Sequence, residues 1–207
     1  TGYDGLDEVE VITNVSSQSI EIPSEYQEVS YIQSSGTQYI DTGVKSASDL
    51  KINVTVQHFS TASGLLYGGG IGWQNQYIQG ECDSASYFAY GNRTSSFTQQ
   101  LTNDAIYNVV QDENAIYLND VNKLNLATAT FSTNYNIYLF TFNRSGEIGE
   151  FGSYKLRSCK IYKNNILIRQ FIPCYRKSDN VIGLYDLVNN QFYTNAGSGT
   201  FGKGRNV

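Results

Sequence analysis

The stretch Lys160-Ile161-Tyr162-Lys163-Asn164-Asn165-Ile166-Leu167-Ile168-Arg169 decides the fold class. Two runs of strand-forming residues flank Asn-Asn, and asparagine tolerates the positive φ that a two-residue hairpin turn demands. Downstream, Val181 to Asp186 and Gln191 to Thr194 flank Asn189-Asn190 in the same way. Upstream lie Ile106 to Val110, Ala115 to Leu118 with the turn Asn119-Asp120, and Ile137 to Phe142. Leu50-Lys51-Ile52-Asn53-Val54-Thr55-Val56 alternates apolar and polar residues with period two, the pattern of a strand with one wet face. With Val29 to Ile32 and Gln38 to Asp41 added, about a dozen strands joined by hairpins emerge, and no convincing helical segment. An all-β, two-sheet antiparallel β-sandwich is the economical solution.

Composition agrees with that reading. Among 207 residues stand 17 Tyr, 10 Phe and 19 Gly but only 2 Pro, a set of strand formers punctuated by turn formers. The 14 Lys and Arg against 19 Asp and Glu leave a net charge of −5, and the longest basic grouping is Arg176-Lys177. Phosphate backbones are bound by clustered cations, so no nucleic-acid partner is expected. No apolar run approaches the ~18 residues of a membrane helix, so no membrane insertion is expected, and no leader pattern opens the chain. The chain starts at Thr1 without any Met and is expected to be an excised part of a longer protein. Gly2 to Val15 reads as a turn and an alternating strand, followed by a Ser/Gln-rich patch and Pro23. The expected organisation is 1–22 as a linker or the end of a preceding β-repeat, and 23–207 as one domain.

Two segments carry a resemblance. Tyr31-Ile32-Gln33-Ser34-Ser35-Gly36-Thr37-Gln38-Tyr39-Ile40-Asp41-Thr42-Gly43 resembles the opening signature of a concanavalin-A-like, laminin-G-like jelly-roll module. Ser158 to Tyr162, Phe171-Ile172-Pro173-Cys174, Ile182 to Asp186 and Phe192 to Phe201 resemble its closing signature. Together they cover roughly residues 23 to 202. Such modules occur in phage tail proteins and in surface proteins of gut bacteria, and Thr1 to Leu6 is similar to short repeats placed ahead of this module in phage structural proteins. In a jelly roll the first and last strands are commonly neighbours, so the signature residues are expected to determine the fold rather than to bind ligand.

The candidate chemistry lies elsewhere. Trp73, Gln74, Tyr77, Tyr87, Tyr90, Asn92 and Arg93 crowd into a Gly-rich middle, with Arg144 on a second polar loop. Flat rings cover the apolar side of a pyranose while amides and guanidinium groups reach its hydroxyls. The implied function is a non-catalytic, lectin-like recognition module for a bacterial cell-surface glycan, part of a phage tail or baseplate receptor-binding protein on the virion. The alternatives are a structural assembly domain of a virion fibre, or an adhesion module of a gut-bacterial surface or secreted protein. A homotrimer within a larger tail protein is left open.

No enzyme is expected. The single histidine, His58, lacks the partners of a triad or a His-based metal site. Glu81 and Asp83 could face one side of a strand like paired glycosidase acids, but the further Glu of that pattern is missing. Glu147 and Glu150 read as a solvated Gly-rich loop, which could also hold Ca²⁺; otherwise no cofactor is expected. In the hairpin, residue 159 would pair with 170, leaving Cys174 four positions along, about 13 Å away at strand rise. That excludes a bridge, so Cys82, Cys159 and Cys174 are expected to be free thiols, the last two buried.

Overall fold

The computed structural model describes residues 21–58, 64–72, 75–82, 86–98, 102 and 104–207. There the chain forms nineteen strands, numbered β1 to β19 in chain order, and no helix. They make two facing sheets, the sandwich that the alternation at Leu50 to Val56 requires.

The larger sheet runs β11 (Val121–Asn125), β10 (Ala115–Leu118), β9 (Ile106–Asp112), β4 (Leu50–His58), β15 (Tyr154–Lys163), β16 (Ile166–Arg176), β17 (Ile182–Asp186), β18 (Gln191–Thr194). β1 (Tyr26–Glu28) joins β16, while β2 (Ile32–Gln33) bridges β15 and β19 (Gly202–Lys203). The smaller sheet runs β14 (Glu147–Phe151), β13 (Thr141–Arg144), β5 (Leu65–Gly72), β6 (Asn75–Cys82), β7 (Ser86–Gly91), β8 (Arg93–Phe97). β12 (Ser132–Leu139) attaches there, pairing with both β5 and β3 (Ile40–Ala47). Named pairs are antiparallel except β13 with β5, because the chain turns back at Phe140, whose φ is 69°.

The deciding hairpin forms as read. Asn164 and Asn165 adopt φ of 50° and 62°, the left-handed pair of a type I′ turn. One detail differs: a register shift between Ile161 and Tyr162 pairs Cys159 with Phe171 rather than with residue 170. The extra residue is a β-bulge. Cys174 is then three positions beyond the pair, and both thiols are free and buried. The Cys82 thiol lies outside the described side chains. At Asn189-Asn190 the connection spans four residues, since Asp186 pairs with Gln191. The cause is the Asp186 carboxylate, fully buried, which accepts from the Val188 and Gln170 amides at 3.1 and 2.8 Å and from the Asn189 side chain at 2.6 Å.

Ile52, Val54 and Val56 on β4 face Leu66, Ile78 and Phe88 of the smaller sheet across the main core. Polar bridges cross it. Gln111, buried, accepts from the Tyr67 hydroxyl at 3.1 Å and donates to the Ala89 carbonyl at 2.9 Å. The Tyr154 hydroxyl donates to the Leu66 carbonyl at 2.6 Å.

The two signature segments lock each other. The side chains of Thr37 and Gln38 donate to the Ser198 carbonyl at 3.0 and 3.2 Å, and the Tyr39 amide donates to the Asn195 side chain at 3.1 Å. A side chain at Gly197 would run into the Thr37 carbonyl, which is why glycine stands there. Residues 1–20 lie outside the described part of the chain, and with them all but the last two residues of the expected linker.

Candidate functional site

Parity along the strands sorts the aromatic-rich middle into two sets. Ile78 on β6 and Phe88 and Tyr90 on β7 enter the main core, whereas Tyr77 and Ala89 join Leu65 and Phe142 in a separate apolar cluster on the opposite, outer face of the smaller sheet. Strand registers align that face in three rows. The first runs Arg144, Gly70, Tyr77, Gly91. The second runs Phe142, Gly68, Gln79, Ala89, Thr94. The third runs Leu65, Glu81, Tyr87, Ser96.

The triple glycine 68–70 explains the floor. A Cβ on Gly68 would collide with the Phe142 ring, so the bare backbone is the seat on which that ring lies. Tyr77 meets Phe142 edge to face, with centroids 5.9 Å apart. The Arg144 guanidinium lies 5.6 Å from the Phe142 ring centre, a cation–π geometry. Gln79 donates to Glu81 at 3.2 Å and so holds the carboxylate in place. A depression lined by Leu65, Gln79, Phe142, Arg144 and Glu150 has a volume of about 10 Å³. That is room for one water, so a sugar would have to lie across the face rather than enter it.

What remains accessible is mixed in chemistry. Tyr87 is 49% exposed. It stands between half-buried Glu81 and exposed Ser96, with exposed Thr94 on the neighbouring row. Half-buried Arg144 and exposed Glu150 border the other side.

The structure thus places Tyr77, Tyr87 and Arg144 on one face, Tyr87 and Arg144 towards opposite sides of it, with Tyr77 as a fully buried floor residue. Asn92 and Arg93 are exposed at the β7–β8 turn, beside the row of Tyr77. Tyr90 has the opposite parity: its hydroxyl donates to the Ser48 and Ala129 carbonyls at 2.6 and 3.2 Å, and burial, with Glu113 nearby, raises its pKa. It serves the core. Trp73 and Gln74, between Gly72 and Asn75, lie outside the described residues, as does Asp83. Gln79 and Phe142 escaped the sequence reading, although Gln79 and Glu81 share the parity of Tyr77 and so its face. Glu147 and Glu150 stand on strand β14 instead of a loop, and among the described residues no group of three His, Cys, Asp or Glu is placed to hold a metal.

No family model matches the sequence, and no curated protein matches it. Solved structures share the fold. The CBM40 module of the Ruminococcus gnavus IT-sialidase is similar at a TM-score of 0.50 and 15% identity, over 66% of this chain and 90% of that one. A heptameric SAP-like pentraxin from Limulus polyphemus gives 0.52 and 9%, over 86% and 94%. A candidate carbohydrate-binding protein from Bacteroides ovatus gives 0.50 and 11%, over 87% and 62%.

Proposed function

We propose that the domain is a non-catalytic recognition module that binds a bacterial cell-surface glycan on the outer face of its smaller sheet. The observation that carries this reading is the third row of that face. An exposed tyrosine ring stands beside a carboxylate held by an amide, with two hydroxyl side chains alongside. A ring offers a flat apolar surface to a pyranose, and a fixed carboxylate accepts from paired hydroxyls. The neighbouring folds include modules named for carbohydrate binding. Gln79 acts as a positioning residue, while Arg144 and Glu150 supply a donor and an acceptor on the opposite side. Trp73 and Gln74 belong to the proposed contact set through their place in the chain next to Gly72.

The sequence resemblance supports a parent protein in a phage tail or baseplate, with the module displayed on the virion. A glycan array followed by calorimetry tests the binding. Tyr87→Ala is expected to weaken a hit about tenfold with an unchanged melting temperature. A clean negative on folded protein overturns the reading, and unchanged binding by Tyr87→Ala removes this face from it.

A further inference from the structure

The outer face of the larger sheet carries a second constellation. Ile52 and Val54 point into the core, which sends Lys51, Asn53 and Thr55 outward. Registers across β10, β9 and β4 align Tyr117, Val110 and Asn53 in one row and Ala115, Asp112 and Lys51 in the next. Between them lies an open depression of about 360 Å³ that also reaches Asn108 and Asp120. This volume falls within the ~300–1,000 Å³ of small-ligand sites.

Its chemistry is specific. Val110, almost covered, is an apolar floor, and the half-buried Tyr117 ring forms a wall. Lys51 and Asp112 are paired at 2.7 Å, which fixes the carboxylate as an oriented acceptor. The side-chain amides of Asn53 and Asn108 make no hydrogen bond to other described residues, so both offer a donor and an acceptor to a ligand. One ammonium stands against two carboxylates in the lining, so a phosphate or uronate is disfavoured; Lys160 borders the row beyond Asn53 without lining the depression.

We infer that this depression is a second binding site, for an uncharged sugar residue whose hydroxyls bridge Asn53, Asn108 and Asp112 while its apolar side meets Tyr117. The choice of a sugar among uncharged ligands rests on the function proposed above. The site itself is independent of the smaller sheet.

The test is an NMR titration of the isotope-labelled chain with glucose, galactose, mannose, fucose and N-acetylglucosamine, each alone. At least one is expected to shift the backbone amides of Asn53, Asn108 and Tyr117. Asn53→Ala should weaken that response about tenfold, and Tyr117→Ala likewise, with the remaining spectrum unchanged. Shifts confined to Tyr87, Glu81 and Arg144 overturn the second site while leaving the first intact. Shifts on the larger sheet that persist in both variants also overturn it. Shifts on neither face for any sugar overturn the second site, the glycan array deciding the first, and shifts on the larger sheet alone support this site.

Discussion

Phe140 holds a backbone conformation that bulky residues seldom adopt, at φ 69° and fully buried. Packing offsets the strain: its ring stacks on Tyr154 at 4.4 Å and meets Phe201 at 5.2 Å, and its amide donates to the Leu66 carbonyl at 2.9 Å. Phe140→Ala should therefore cost about 3–5 kcal/mol in a urea titration. Phe140→Gly should lose less by ~1 kcal/mol, since glycine carries no penalty at positive φ; equal losses would mean the turn is unstrained. Burial pushes the Cys174 thiol from 9.0 up to about 12, and raises Cys159 further. The fold thus favours neutral thiols. This contribution is complete below pH 9 and is lost as pH rises towards 12, so stability should fall across that alkaline window. Both thiols should resist a thiol reagent at neutral pH until the chain is unfolded. Tyr87 and Tyr90 show what one residue type conceals: period two puts them on opposite faces, but nothing local says which parity faces inward. That choice is made by Phe97, stacked on Phe88 at 5.9 Å, and by Phe131, edge-on to Tyr90 at 5.4 Å.

Turns display the same division between what is local and what is not. Asn164-Asn165 was legible because its conformation depends on its own two residues, both exposed. Asn165→Ala should destabilise the protein by ~1 kcal/mol through backbone conformation alone, and Asn165→Gly should not; thermal melts of the pair decide it. Asn189-Asn190 carries the same letters and makes a longer connection, because the Asp186 carboxylate reaches across to the Gln170 amide on β16. Only the folded sheet supplies that partner. The register shift at Ile161 lies only on the β16 side, while the pairing with β4 runs through Ile161 and Tyr162 without interruption, so it is seen only once both strands are paired. The signature segments were legible as elements by resemblance, and their mutual hydrogen bonds show why they travel together.

At the scale of the whole molecule, the sandwich was readable from alternation, whereas the ties between its sheets were not. Gln111 is an amide at an inward strand position, a local break in the apolar pattern whose meaning depends on Tyr67 and Ala89 in the other sheet. Gln111→Leu should cost ~1–3 kcal/mol by stranding those groups, measured against Gln191→Leu at the exposed start of β18 as a control. The proposed binding face was half legible: Tyr77, Tyr87 and Arg144 stood out in the sequence, whereas Gln79, Phe142 and the place of Glu81 beside Tyr87 came from registers only the fold supplies. The first strands of the described part and the last residues of the chain close the larger sheet side by side, with β19 on β2, Val29 bridged to Asn206, and the Val207 amide donating to the Glu28 carbonyl at 3.1 Å. A pull applied at residues 26 and 207 would therefore meet these bonds one after another, as a zipper opens, instead of all at once in shear. Under mechanical load this domain would yield first at its own seam, releasing Phe201 from Phe140 before either proposed binding face is disturbed.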